Sequence, residues 1–406
     1  MATALRVGGA VFLVVLLGLA YWYFRPGSEF SPAEVIRVSG IEDRRESYRQ
    51  MDEVYPSSPI IRPPKVTTFE RDLVDELDPS WEWMGQSRDW AQYREQRGVQ
   101  GLYVLKDGKV RFEEYYGEAG ANDHFTSWSV AKSWVSTLIA IGMKDGKIRS
   151  LDDLVSDYAP EYVGTDYGDT SIRHLLWMSS GIQFNENYEE PGADIRKLFF
   201  NTFLMNRDVD DTVRTFKRFR PAGEHFNYIS TNTQVLSAVL RGAYGQPLID
   251  IVNEKLSTPL GLSGGYWLTD RKGKGKKELG YCCLQLTLED YAKLGQLYVQ
   301  DGMLGDQRIL PEGWVEAVGT IPQASHSMDN ARRLGYSLHF WLLADMPGAF
   351  AMQGYDGQYI AMDPAEDLVI VMVSADRSMD YSQPAEHPLL FNAIRDELRR
   401  IDEEGV

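Results

Sequence analysis

The sequence predicts an α+β fold: one antiparallel sheet flanked by N- and C-terminal helices, a mainly helical lobe beside it, and a transmembrane helix in front. Three observations predict it. Strand-like hairpins stand at both ends of the main segment, helical runs fill the middle, and residues 7–24 form an unbroken apolar stretch.

Val7 to Phe24 carries no charge. At about 1.5 Å of rise per residue, it is just long enough to cross the hydrocarbon core of a bilayer. Tyr21, Trp22, Tyr23 and Phe24 close it as an interfacial aromatic belt. A cleaved signal peptide has a shorter apolar core and small residues at its cleavage site. Here bulky aromatics follow Ala20, so an uncleaved single-pass anchor is expected. Arg6 and Arg25 flank the stretch almost evenly; an N-in reading puts the rest of the chain on the exported side. Residues 1–6 are then a short tail, 25–97 a linker and pre-segment, and 98–402 the main domain. Pro56, Pro59, Pro63 and Pro64 break any long helix in the pre-segment. Trp81, Trp83 and Trp90 mark its later part as packed on the domain.

From Gly101, the runs Leu102–Leu105 and Val110–Tyr116 flank Asp107-Gly108, a hairpin signature. Trp128–Lys144 is a helical run ending at Asp145-Gly146. Ile172–Met178, Thr231–Tyr244 and Thr287–Gln300 are further helical stretches. Gln358–Met362 and Leu368–Val373, around Asp363-Pro364, form a second hairpin. Pro388–Arg400 closes the chain as an amphipathic helix with Leu389, Leu390, Ile394 and Leu398 on one face. The two hairpins share one sheet and the central helices form the second lobe.

Composition narrows the function. The 406 residues carry a net charge of −17, which argues against a nucleic-acid partner. Against that background, Arg271–Lys277 reads as a solvated Gly-rich loop rather than a lipid or partner patch. Cys282 and Cys283 are adjacent, and adjacent cysteines rarely pair because the geometry strains the peptide between them. No disulfide framework is expected. The six histidines show no paired short spacing, so no metal site is expected.

The first motif with chemistry is Ser129-Val-Ala-Lys132 at a helix start. Three-residue spacing puts both side chains on one face, a turn apart. A serine hydroxyl needs a base, and a lysine serves only if burial or nearby cations make it neutral. The free N–H groups and dipole of a helix start help an oxyanion form there. The second motif is Phe226–Ser230, whose Tyr228 phenol could pass a proton to a leaving group. The third is Met352–Gln358, where Gly354 and Gly357 let backbone approach a ligand and a strand-edge N–H could complete a two-donor oxyanion hole. Each has a bland reading: a surface lysine on a helix, a packed tyrosine and a glycine-containing strand start.

In this order the motifs resemble the serine β-lactamase and penicillin-binding-protein superfamily. The resemblance is closest to the class C β-lactamase branch, the 6-aminohexanoate-dimer hydrolases and related carboxylesterases. It is carried by Ser127-Trp-Ser-Val-Ala-Lys-Ser133, by Ile172–Gly181, by Asp290–Tyr298 and by Ile309-Leu-Pro311 with Trp314, and runs from about Gly101 to Arg400. It implies a β-lactamase/transpeptidase-like fold, with Ser129 as acylated nucleophile, Lys132 as base and Tyr228 as the assisting tyrosine, hydrogen-bonded to Lys132. It places the Ser129 and Tyr355 N–H groups in the oxyanion hole, and Ser230, Gly354, Gly357 and Gln358 at the substrate pocket. One departure bears on substrate. Neutral Met352 stands where a cation opens the third motif in β-lactam-recognising relatives, which weakens binding of a carboxylate. The implied activity is therefore hydrolysis of a small ester or amide without cofactor. The alternatives are a β-lactamase or D,D-peptidase acting on cell-wall substrates, and a non-catalytic binding protein of the same fold.

Overall fold

The computed structural model describes residues 2–25, 31–33, 44–328, 334–375 and 383–404. Helix α1 (Ala2–Phe24) contains the apolar stretch, and none of Val7–Phe24 is buried against the domain. A short helix α2 (Arg44–Arg49) follows, then strands β1 (Ser57–Ile60) and β2 (Glu70–Arg71). The first hairpin is β3 (Val99–Lys106) and β4 (Lys109–Tyr115), turning at Asp107-Gly108. Next come β5 (Phe125–Thr126), α3 (Val130–Lys144), α4 (Ser230–Tyr244), β6 (Gly265–Leu268), β7 (Leu284–Leu286) and α5 (Leu288–Val299). Strands β8 (Leu334–Ser337), β9 (Phe340–Leu343), β10 (Phe350–Gly354), β11 (Gln358–Asp363) and β12 (Leu368–Ser374) precede the closing helix α6 (His387–Glu404).

The main sheet has the order β8-β9-β10-β11-β12-β3-β4-β2. The two terminal hairpins meet in it, with β12 antiparallel to β3 from Leu368↔Lys106 to Ser374↔Val99. Strand alternation then sorts the side chains. Tyr103 and Leu105 of β3 face the core around α3 and α5, while Leu102 and Val104 face a second core beneath α6. Both faces are covered, so β12 is buried along its whole length and reads as the continuous apolar run Leu-Val-Ile-Val-Met-Val. Leu390, Ile394 and Leu398 of α6 bury the predicted apolar face, each contributing about 1.5–3 kcal/mol.

Residues 44–97 are built into the domain: Tyr48, Met51, Tyr55 and Ile60 of the earlier part are buried, and Leu77, Trp81, Trp90 and Tyr93 of the later part, the part expected to pack there, join the core beneath α6. Residues 26–30 and 34–43 of the linker and pre-segment, and Met1 of the tail, lie outside the described residues. Against expectation, Cys282 and Cys283 are disulfide-bonded. In extended backbone neighbouring side chains point apart; here Cys283 takes a positive φ of 71° and the sulfurs meet. The basic run is also more engaged than a solvated loop. Arg271 pairs with Asp208 and Asp270, and Lys277 with Asp208 and Asp210. These pairs tie the loop to the helical lobe.

Candidate active site

The turn that carries Ser129 is set by a small sheet. The Ser127 N–H donates to the Leu284 carbonyl on β7 at 2.7 Å, and Leu284 N–H donates back to Ser127 Oγ at 2.9 Å. Trp128 then adopts φ of 41°, an unfavourable conformation for a bulky residue, and the chain turns into α3. Ser129 caps that helix by position, yet its side chain makes no cap bond. Its Oγ accepts a hydrogen bond from Lys132 Nζ at 2.8 Å. Lys132 Nζ also donates to the Tyr281 carbonyl at 3.0 Å. The lysine is only 1% exposed. Burial pushes its pKa down to about 8, against the opposing pull of the Glu186 carboxylate.

Tyr228 is brought to the same place. It lines the same cavity as Ser129, and burial holds its pKa well above the ordinary tyrosine value. The expected Lys132–Tyr228 hydrogen bond is replaced by a different contact. The ammonium lies over the ring face, 4.9 Å from its centroid, because Lys132 donates to Ser129 and Tyr281 instead.

The opposite wall is the end of β10. A β-carbon on Gly354 would sit 2.3 Å from the Ser127 carbonyl oxygen, so only glycine lets this strand close on the Ser127–Ser129 turn. Tyr355, Asp356 and Gly357 make the following turn, with φ of 58° at Asp356 and 88° at Gly357. Among the described residues, neither the Ser129 nor the Tyr355 N–H donates to a backbone carbonyl. The turn is pinned from far away in sequence. The Asp356 carboxylate accepts from Arg44 at 2.6 Å and from the Tyr48 hydroxyl, both on α2. The Tyr48 ring also packs edge-on against Trp128, 5.5 Å between centroids. One helix of the pre-segment thus holds both walls.

Between the walls lies a cavity of about 420 Å³, lined by Ser129, Tyr228, Gly354 and Tyr355 together with Glu186, Tyr188, Trp341 and Gln353. That size suits a small organic ligand. Ser230, Gly357 and Gln358 are not in its wall. Gln358 is buried, its amide donating to the Ser374 carbonyl at 2.6 Å, and it braces the turn. Ser230 bonds Glu186 through both its N–H (2.9 Å) and its hydroxyl. Glu186, absent from the sequence expectations, thereby caps α4 and faces the lysine. Desolvation raises its pKa despite the pull of Lys132 and the bonds from Ser230. Nothing in the local sequence Phe184-Asn-Glu-Asn-Tyr188 distinguishes it from a loop carboxylate. His339, also near Lys132, is held neutral: burial and the lysine charge push its pKa down to about 3.

The family model described as Beta-lactamase matches residues 87–392, and the chain belongs to that family of hydrolases. A curated relative, the 6-aminohexanoate-dimer hydrolase of Paenarthrobacter ureafaciens, is 27% identical over 298 residues, covering 71% of this chain and 75% of its own. Among solved structures, a Bacillus anthracis protein provisionally named a 6-aminohexanoate-dimer hydrolase superposes with a TM-score of 0.76 at 21% identity, covering 89% of this chain and 95% of that one. A class C β-lactamase superposes with a TM-score of 0.53 at 18% identity, covering 76% of this chain and 93% of its own.

Proposed function

We propose that the chain is a membrane-anchored serine hydrolase that cleaves an ester or amide through an acyl-enzyme on Ser129. The observation that carries this reading is the 2.8 Å contact between Ser129 Oγ and a buried lysine whose pKa is pushed down to about 8. Neutral Lys132 takes the hydroxyl proton as Ser129 attacks the carbonyl. The N–H groups of Ser129 and Tyr355 hold the oxyanion, and Tyr228, beside Ser129 in the cavity wall, helps pass the proton to the leaving alcohol or amine. Water then releases the acyl group. The relative named for 6-aminohexanoate dimer supports an amide among the substrates.

The third motif favours this over a β-lactamase. Met352 is fully buried, and the Gln353 amide bonds His387 at 2.9 Å, so the third motif offers no cation to a substrate carboxylate. Anchoring rests on α1, and a disulfide at Cys282–Cys283 favours the exported, oxidising side. A fluorophosphonate probe tests the reading: it labels the wild type and leaves Ser129→Ala unlabelled, with p-nitrophenyl acetate turnover lost in parallel. Wild-type turnover by Ser129→Ala removes Ser129 from the mechanism.

A further inference from the structure

A second, larger cavity of about 730 Å³ lies beside the reactive one, and the mechanism above does not use it. Most of its wall is apolar, with Tyr55, Trp128, Phe199, Phe200, Phe203 and Leu204, and Arg196, Lys197 and Asn201 add a polar side. Trp128 immediately precedes the nucleophile. An aromatic partition separates the two spaces. Tyr355 and Tyr188 line the reactive cavity and touch each other at 4.9 Å between centroids. Tyr355 packs against Trp128 at 6.3 Å, and Tyr188 against Phe199 at 6.5 Å.

An independent observation ties this cavity to the apolar helix α1. Arg25, the first residue after α1, donates to the Leu204 carbonyl at 2.6 Å. The cavity wall therefore sits at the C-terminal end of the apolar helix. On the same segment Phe200 is 48% exposed and Met205 38% exposed, as expected of side chains that meet a lipid interface.

We infer that this cavity receives the acyl chain of a lipid-derived ester or amide drawn from the bilayer that holds α1, with the scissile carbonyl at Ser129. The inference rests on the hydrolase reading and names its substrate class. The Ser129 Oγ–acyl bond forms as the carbonyl–oxygen or carbonyl–nitrogen bond breaks, and the serine proton goes to the leaving group. Water then takes the acyl group, releasing a long-chain acid. Tyr188 and Tyr355 are the side chains that move aside to let the chain pass from one cavity to the other.

The test is a chain-length series of p-nitrophenyl esters, acetate to hexadecanoate, on the full chain in phosphatidylcholine vesicles. The wild type shows kcat/KM rising with length, by up to about fourfold per buried methylene, and levelling once the cavity is full. Leu204→Glu puts a carboxylate in the wall and lowers the dodecanoate-to-acetate ratio of kcat/KM at least tenfold. Phe200→Glu, at an exposed position and so tolerant of the change, lowers the same ratio and guards against misfolding of the first variant. A flat or falling length profile in an enzyme that still turns over acetate through Ser129 overturns the acyl-chain site and leaves the hydrolase standing. Unchanged ratios in both variants do the same. No turnover of any ester and no fluorophosphonate labelling overturns the hydrolase reading, and this inference with it.

Discussion

The two walls of the reactive cavity are built in opposite ways. The Ser129 wall is local: Ser129 and Lys132 meet because one helical turn separates them, and α3 is buried from Val130 to Gly142 around that pair. The Tyr355 wall is assembled from distant chain. Its turn at Tyr355–Gly357 is held by Arg44 and Tyr48, about three hundred residues upstream. The difference teaches that the Ser129–Lys132 pair is set by short-range geometry, whereas its alignment with the Tyr355 turn depends on a segment outside the family match at 87–392.

The largest expected effects fall on the local wall. Ser129→Ala removes the nucleophile and lowers kcat/KM for p-nitrophenyl acetate by roughly 10³–10⁶-fold. Lys132→Ala leaves the nucleophile without its base and costs roughly 10²–10⁴-fold. The wild-type pH profile checks the lysine directly. The active form is the neutral amine, so the rate rises as pH increases through about 8 and levels above it. A profile already flat from pH 6 upward removes Lys132 as the base.

The same contrast explains what could be read from sequence. The hairpins at 101–116 and 358–373, α3, α4 and α6 were legible because each is encoded by its own periodicity and turn residues. The Ser129–Lys132 pair was legible because i,i+3 spacing is a geometric statement in itself. The role of α2 was not, since Arg44-Arg-Glu-Ser-Tyr-Arg49 has no signal that names Asp356 as its partner. Glu186 was hidden for the same reason: capping α4 from a loop is a tertiary contact. The disulfide escaped because it needs a positive φ at a non-glycine residue, which propensity does not foresee.

The distant wall should respond more weakly. Tyr48→Phe removes one hydrogen bond to Asp356 while Arg44 keeps the other, so the turn loosens without collapsing. One charge-assisted bond is worth about 1.5–3 kcal/mol, and only part of that reaches the transition state. We expect kcat to fall by about three- to tenfold with KM nearly unchanged. A fall as large as that of Lys132→Ala would mean that α2 does more than align the turn.

Glu186→Gln gives the smallest change in rate and the sharpest separation of the two kinds of wall. The glutamine oxygen still accepts from the Ser230 N–H, so the cap on α4 survives while the charge goes. Glu186 raises the pKa of Lys132 by favouring its ammonium form. Without that charge the lysine loses its proton more readily, and the rising limb of the pH–rate profile moves to lower pH. The plateau rate changes by no more than about threefold, because the bond from Lys132 to Ser129 is untouched. A limb that stays in place shows that Glu186 acts only as a brace, like Tyr48; a limb that moves shows a long-range residue reaching into the chemistry of the local pair.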